Sequence, residues 1–147
     1  MIRKAIGAIV TRGNDVLLVY KTKINTPSGK LEIQGEWDIV KGGVKEKDLT
    51  FKAAVLRELE EETGTREFSF IKEFDEKLEF DFPEEIQRKI GFQKQETMIF
   101  HLEYKDDAAQ IRPVDDEINE TRFVPKDEVL ELLTHEDTKV FLVNYFL

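Results

Sequence analysis

The sequence predicts an α/β (α+β) fold, with sheets flanked by helices. Three observations predict it. Strand-like apolar runs outnumber helical ones, the two kinds follow one another in mixed order, and one segment carries a clear helical period closed by a glycine. The 147 residues, 40% hydrophobic and 36% charged, supply a core inside a charged shell. A single domain over 1–147 is expected, and disorder over most of the chain is excluded.

The elements follow in order. Ile2 to Val10 reads as a buried strand, Gly13-Asn14-Asp15 as a turn, and Val16 to Tyr20 as the second strand of a hairpin. From Lys21 to Glu36 the pattern dissolves, and Thr26-Pro27-Ser28-Gly29 reads as a loop tip. Trp37 to Val40 resumes a short strand that runs into Lys41-Gly42-Gly43. A helix is predicted from Thr50 to Thr63, with Gly64 at its C′ position. Phe68 to Phe82 is strand-like, with an acidic interruption at Asp75-Glu76, and Pro83 to Gly91 is a mobile loop or short helical turn. Thr97 to Leu102 and Thr121 to Val124 read as strands, and Lys126 to Leu133 and Glu136 to Phe146 as helices.

Composition removes several function classes. There is no Cys, so a disulfide framework, thiol catalysis and cysteine-ligated zinc are excluded. His101 and His135 are the two histidines and lie far apart in sequence, which argues against a histidine-rich metal site. Acidic residues outnumber basic ones 31 to 22, a net charge of −9 that opposes wide contact with polyanions. The first apolar run is too short for a signal-peptide core, and no stretch approaches the roughly 20 residues of a membrane span. A soluble cytoplasmic protein with no membrane partner is expected, its oligomeric state open between monomer and homodimer.

At 100° per residue, Glu58, Glu61 and Glu62 share one face of the predicted helix, beside an apolar stripe of Val55, Leu56, Leu59 and Thr63. Arg57 and Glu60 fall on the remaining, wetter arc, and Ala54 leaves space one turn before Glu58. Two like charges about 5.5 Å apart at an effective dielectric of ~20 repel by roughly 3 kcal/mol. A hard divalent cation with oxygen ligands, Mg2+ or Mn2+, relieves that repulsion. A solvated Glu-rich face is the alternative; the flanking residues favour a site. Gly42-Gly43 at the end of a strand lets backbone approach a phosphate, and Lys41 adds a cation beside the turn.

Residues Gly43 to Thr65 resemble the Nudix box, G-x5-E-x7-R-E-U-x-E-E-x-G-U with U apolar. Gly43, Arg57, Glu58, Leu59, Glu61, Glu62 and Gly64 match at the right spacing. Leu49 replaces the first Glu, with Asp48 and Glu46 the neighbours able to reach in its place, and Thr65 replaces the last apolar residue. The resemblance implies a Nudix-type α/β/α sandwich around a mixed β-sheet. It also implies hydrolysis of a nucleoside diphosphate linked to another group. It makes Glu58, Glu61 and Glu62 ligands of Mg2+, with Mn2+ able to substitute, and Arg57 the residue that orients Glu61. The implied substrate contacts are Lys41, Gly42 and Gly43.

Phe82-Pro83, then Gly91-Phe92-Gln93-Lys94-Gln95 and the strand through Phe100, resemble the RNA 5′-pyrophosphohydrolase and dinucleoside polyphosphate hydrolase branch. So does Glu117 to Val124. On that likeness Glu117 is a further metal ligand or the water-activating base, with Glu120 and Asp116 as competitors. Phe82 is available to stack on a base, although the branch usually has a Tyr where this chain has Phe80 and Phe82. Arg88, Lys89 and Lys94 are available to substrate phosphates. The implied partner is a nucleotide-like small molecule (a dinucleoside polyphosphate or nucleoside triphosphate) or a triphosphorylated RNA 5′ end. An ADP-ribose or nucleotide-sugar pyrophosphatase is the nearest alternative. Leu49 motivates a second one, a nucleotide-binding module of weakened activity.

Overall fold

The computed structural model describes residues 1–26, 29–105, 111 and 117–147. Its strands are β1 (Ile2–Arg12), β2 (Asp15–Thr26), β3 (Gly29–Asp38), β4 (Val40–Gly43), β5 (Phe68–Asp81), β6 (Lys94–Tyr104) and β7 (Ile118–Pro125). The helices are α1 (Phe51–Thr63), α2 (Glu84–Ile90), α3 (Val129–Leu132), entered through a 3-10 turn at Lys126–Glu128, and α4 (Glu136–Tyr145). The strands form one mixed sheet of order β3-β2-β1-β6-β5, with β4 also paired to β1 and β7 to β2. β1 and β6 run parallel; the other pairs are antiparallel.

Strand alternation builds two cores, one on each face of the sheet. Ile6, Ala8 and Val10 of β1 and Leu17 and Val19 of β2 pack with Ala54, Val55 and Leu59 of α1. Ile9, Val16, Leu18 and Ile99 point the other way, against Val129 of α3 and Phe141 and Leu142 of α4. Helices therefore cover both faces, as the sandwich expectation requires. α1 is held at its start by Thr50, whose Oγ1 accepts the Ala53 N–H, and at its end by Gly64 at φ 79°, whose N–H donates to the Glu60 carbonyl.

The segment from Lys21 to Glu36 departs from the expected loop. β2 continues to Thr26 and β3 returns from Gly29, with Lys23 opposite Glu32 and Ile24 opposite Leu31. Residues Gly29 to Glu32 are exposed, and strands with water on both faces need no apolar alternation. That is why the sequence there reads as patternless. The acidic interruption at Asp75-Glu76 falls within a register shift of β5 against β6, between Glu73 and Lys77. Pro83 to Gly91 folds as α2, closed by Gly91 at φ 78°. Among the described residues no helix is long and apolar enough to cross a membrane.

Candidate active site

α1 packs over β1, β4 and β7, and its carboxylates lie beside the apolar layer that Ala54, Val55 and Leu59 help to form. Glu62 is the most deeply placed, at 2% exposure, and its Oε2 has no hydrogen-bond partner among the described residues. Burial pushes the Glu62 carboxyl well above its usual range, and Lys21 opposes that push. Burial also raises Glu58, partly offset by its hydrogen bond from Arg57. Glu61 lies nearer the surface. Gly42 is bare for a reason visible here: a Cβ on it would overlap the Glu58 carboxyl group.

Arg57 differs from expectation. The helical wheel assigns it to the wetter arc, yet it is buried, because the Gly43–Thr50 loop folds over that side of α1. Its Nε and Nη2 donate to Asp48 Oδ1 and Oδ2 at 2.9 and 2.8 Å, and Nη2 also to the Gly43 carbonyl at 2.9 Å. Nη1 donates to Glu58 Oε1 at 2.9 Å and stands 3.4 Å from both Glu61 oxygens. The expected i,i+4 pairing with Glu61 is thus present but long, and Glu58 is the tighter carboxylate partner on the helix. The Arg57 guanidinium holds Asp48 down at a pKa of about 2.

Two cations that sequence reasoning missed complete the site. Lys21 follows Leu17 and Val19 at every second position of β2 and so points under α1. Burial pulls its ammonium pKa down, but Glu62, Asp38, Glu117 and Glu58 together outweigh this and leave it raised. Arg3 reaches Gly43 from β1, close enough that a Cβ on Gly43 would meet its guanidinium. Burial lowers the Arg3 pKa against the fields of Glu58 and Glu117. The signal for Lys21 was its parity with the apolar residues before it, hidden when the strand is ended at Tyr20.

Glu117 is brought to this cluster. The Thr22 N–H donates to its backbone carbonyl at 2.9 Å, and its charge acts on both Glu58 and Glu62. Its competitor Glu120 is instead paired with Arg122 at 2.9 Å, and Asp116 lies outside the described residues. Lys41 goes elsewhere. It alternates with Val40 and Gly42 on β4, so its Nζ donates to Thr138 of α4 at 2.7 Å and pairs with Asp38 at 3.2 Å. Phe82 stands just past β5 with its ring edge-on to Phe80, and its backbone N–H donates to the Gln93 carbonyl. Lys94 is paired with Glu79 at 3.0 Å, while Arg88 and Lys89 are exposed on α2.

As the side chains stand, no three His, Asp or Glu residues among those described are gathered tightly enough to enclose an ion. The donor chemistry nevertheless fits a hard cation. Glu58, Glu61 and Glu62 offer carboxylate oxygens on adjoining turns, and one buried Glu62 oxygen has no donor among the described residues.

Known proteins resemble this chain in sequence and in fold. The NUDIX domain family matches residues 1–144. An RNA pyrophosphohydrolase of a Nitratiruptor species is 29% identical over 149 residues, covering 98% of this chain and 92% of the relative. An RNA pyrophosphohydrolase of Campylobacter jejuni is 31% identical over 114 residues, covering 75% and 72%. Among solved structures, the E. coli dihydroneopterin triphosphate pyrophosphohydrolase superposes with a TM-score of 0.69 at 17% identity, covering 97% of this chain and 93% of that one.

Proposed function

We propose, from the premise that this chain belongs to the NUDIX family of pyrophosphohydrolases, that it is a cytoplasmic, cation-dependent enzyme cleaving a triphosphorylated RNA 5′ end. The family acts on pyrophosphate bonds of nucleotide derivatives; the RNA end is chosen because the two curated relatives described above bear that activity in their names. A dinucleoside polyphosphate or nucleoside triphosphate offers the same bond in a smaller molecule. The observation that carries the reading is the Glu58, Glu61 and Glu62 group, with Glu58 against Gly42 and a buried Glu62 oxygen that has no donor among the described residues.

Glu58, Glu61 and Glu62 would hold Mg2+, with Mn2+ as substitute. When bound, the cation supplies charge neutralisation at the diphosphate and a lowered pKa for attacking water. Gly42 and Gly43 make room for the Glu58 carboxylate and the Arg3 guanidinium, so phosphate oxygens would meet these side chains there. Arg57 keeps Glu58 and Glu61 oriented, and Glu117 takes the part of a further ligand or of the base that receives the water's proton. Positioning and charge supply most of the rate in such displacements. Lys41, tied to Thr138 and Asp38, acts from the opposite face by fixing β4. The proposed site functions within one domain over 1–147.

The test is cleavage of a panel, followed by separating and identifying the products: triphosphorylated RNA, a dinucleoside tetraphosphate, a nucleoside triphosphate and ADP-ribose. Glu61→Gln and Glu62→Gln are expected to abolish cleavage of the preferred substrate while the circular dichroism spectrum is kept. Wild-type turnover in both variants would refute the assignment. A panel member bound tightly but unchanged over hours with Mg2+ or Mn2+ would favour the binding-module alternative.

A further inference from the structure

The pattern that Gly43 to Thr65 resembles has a carboxylate at position 49, where this chain has Leu49 at 92% exposure. The preceding residue points inward instead. The Asp48 side chain is only 4% exposed, and its Oδ2 accepts the Lys45 N–H at 2.8 Å while its own N–H donates to the Lys45 carbonyl at 2.9 Å. That local turn places both Asp48 oxygens against the Nε and Nη2 edge of Arg57.

A guanidinium has five N–H donors, and here every one has an acceptor. Nε and one Nη2 hydrogen go to Asp48, the other Nη2 hydrogen to the Gly43 carbonyl, and the Nη1 pair to Glu58 and Glu61. The bidentate fork leaves the guanidinium plane one orientation. In that orientation Nη1 meets Glu58 and Nη2 meets the Gly43 carbonyl at the end of β4.

We propose that Asp48 is a positioning residue of the active site: through Arg57 it sets the Glu58 carboxylate against the glycine turn, replacing from one residue earlier the carboxylate absent at Leu49. The inference rests on the hydrolase reading above and adds a residue to it. Leu49 is then no mark of a decayed site, because Arg57 has a carboxylate anchor in Asp48, one residue earlier.

The experiment compares Asp48→Asn with Thr50→Ala. The amide of Asp48→Asn turns an N–H group toward a guanidinium donor and removes the charge. Thr50→Ala loses the α1 cap, and so destabilises the same loop-to-helix junction, without touching Arg57. For Asp48→Asn, kcat on the preferred nucleotide is expected to fall about 10- to 100-fold with KM little changed, and the Mn2+ concentration giving half-maximal thermal stabilisation to rise by a similar factor. Thr50→Ala is expected to melt earlier yet keep wild-type kcat and Mn2+ midpoint.

Two variants that differ only in melting temperature overturn the assignment, leaving Asp48 as a loop staple. A wild type without turnover on any nucleotide counts against the hydrolase reading, and the Mn2+ midpoint then decides on Asp48 by itself. A wild type with neither turnover nor a Mn2+ shift overturns both.

Discussion

The two faces of the sheet are built by the same strands and have opposite characters. On the α4 face the alternate residues Ile9, Val16, Leu18 and Ile99 meet Phe141 and Leu142, and Phe74 packs edge-on to Phe141 at 5.5 Å between ring centres. On the α1 face the stripe Leu17–Val19 continues into Lys21, and α1 brings Glu58 and Glu62 down beside it. A buried carboxylate oxygen without a donor costs about 1–3 kcal/mol or more. Both layers bury apolar side chains and the charge on the α4 side, Lys41, is matched by Asp38, whereas the α1 layer sacrifices stability at one edge to gather carboxylates. Strained electrostatics confined to one edge of one layer is the pattern expected of a functional site rather than of a core.

The contrast breaks most sharply at Phe141. Phe141→Ala removes an aromatic ring from the apolar layer and is expected to cost about 3–5 kcal/mol in urea unfolding. Turnover per folded molecule should be unchanged, since Phe141 lies across the sheet from Glu58 and Glu62. Loss of turnover in the folded variant would show that the two faces are coupled.

Next in size is the effect of a divalent cation. A ligand held only by the folded state, at a hundred times its dissociation constant, adds about 2.7 kcal/mol. Saturating Mn2+ should therefore raise the melting temperature of the wild type and leave Glu62→Gln unmoved. In cation-free buffer Glu62→Gln should melt no earlier than wild type, because the burial that disfavours the Glu62 charge outweighs the attraction of Lys21. A large loss of stability in cation-free Glu62→Gln would mean that Lys21 and Glu62 form a structural ion pair.

How much of this was legible in the sequence divides along the same line. α1 could be read because its apolar period and closing Gly64 are local, and β1 and the first half of β2 because one side of each faces a core. The outer β2–β3 hairpin was hidden because water bathes both of its faces. Arg57 was misplaced for a different reason: a helical wheel knows nothing of a loop that folds back and supplies Asp48. Arg3 reaches the site only through the pairing of Ala5 with Gly43, a contact across the sheet that no local pattern encodes. Lys41 could have been placed correctly from parity alone. On a strand it cannot share a face with Gly42, whose bare Cα faces Glu58.

The smallest expected effect concerns acid. Asp48 titrates at about 2 in the folded protein, held there chiefly by its hydrogen bonds from Arg57, against an ordinary value of 3.8. A folded-state value below the unfolded one means that the stabilisation is fully present above the unfolded pKa and lost as pH falls through the folded one. The stability gap between wild type and Asp48→Asn should therefore be level from neutrality down to about pH 5 and close between about pH 4 and pH 2. Urea unfolding of the pair at several pH values measures it. Because both proteins carry every other carboxylate, the acid response of those remote from Arg57 cancels in the difference, and what remains reports Asp48 together with the carboxylates that share Arg57. A gap that stayed constant to about pH 2 would mean that the side chain contributes through its hydrogen-bond shape and not its charge, and the anchoring of Glu58 would then have to be carried by Gly43 and the loop backbone.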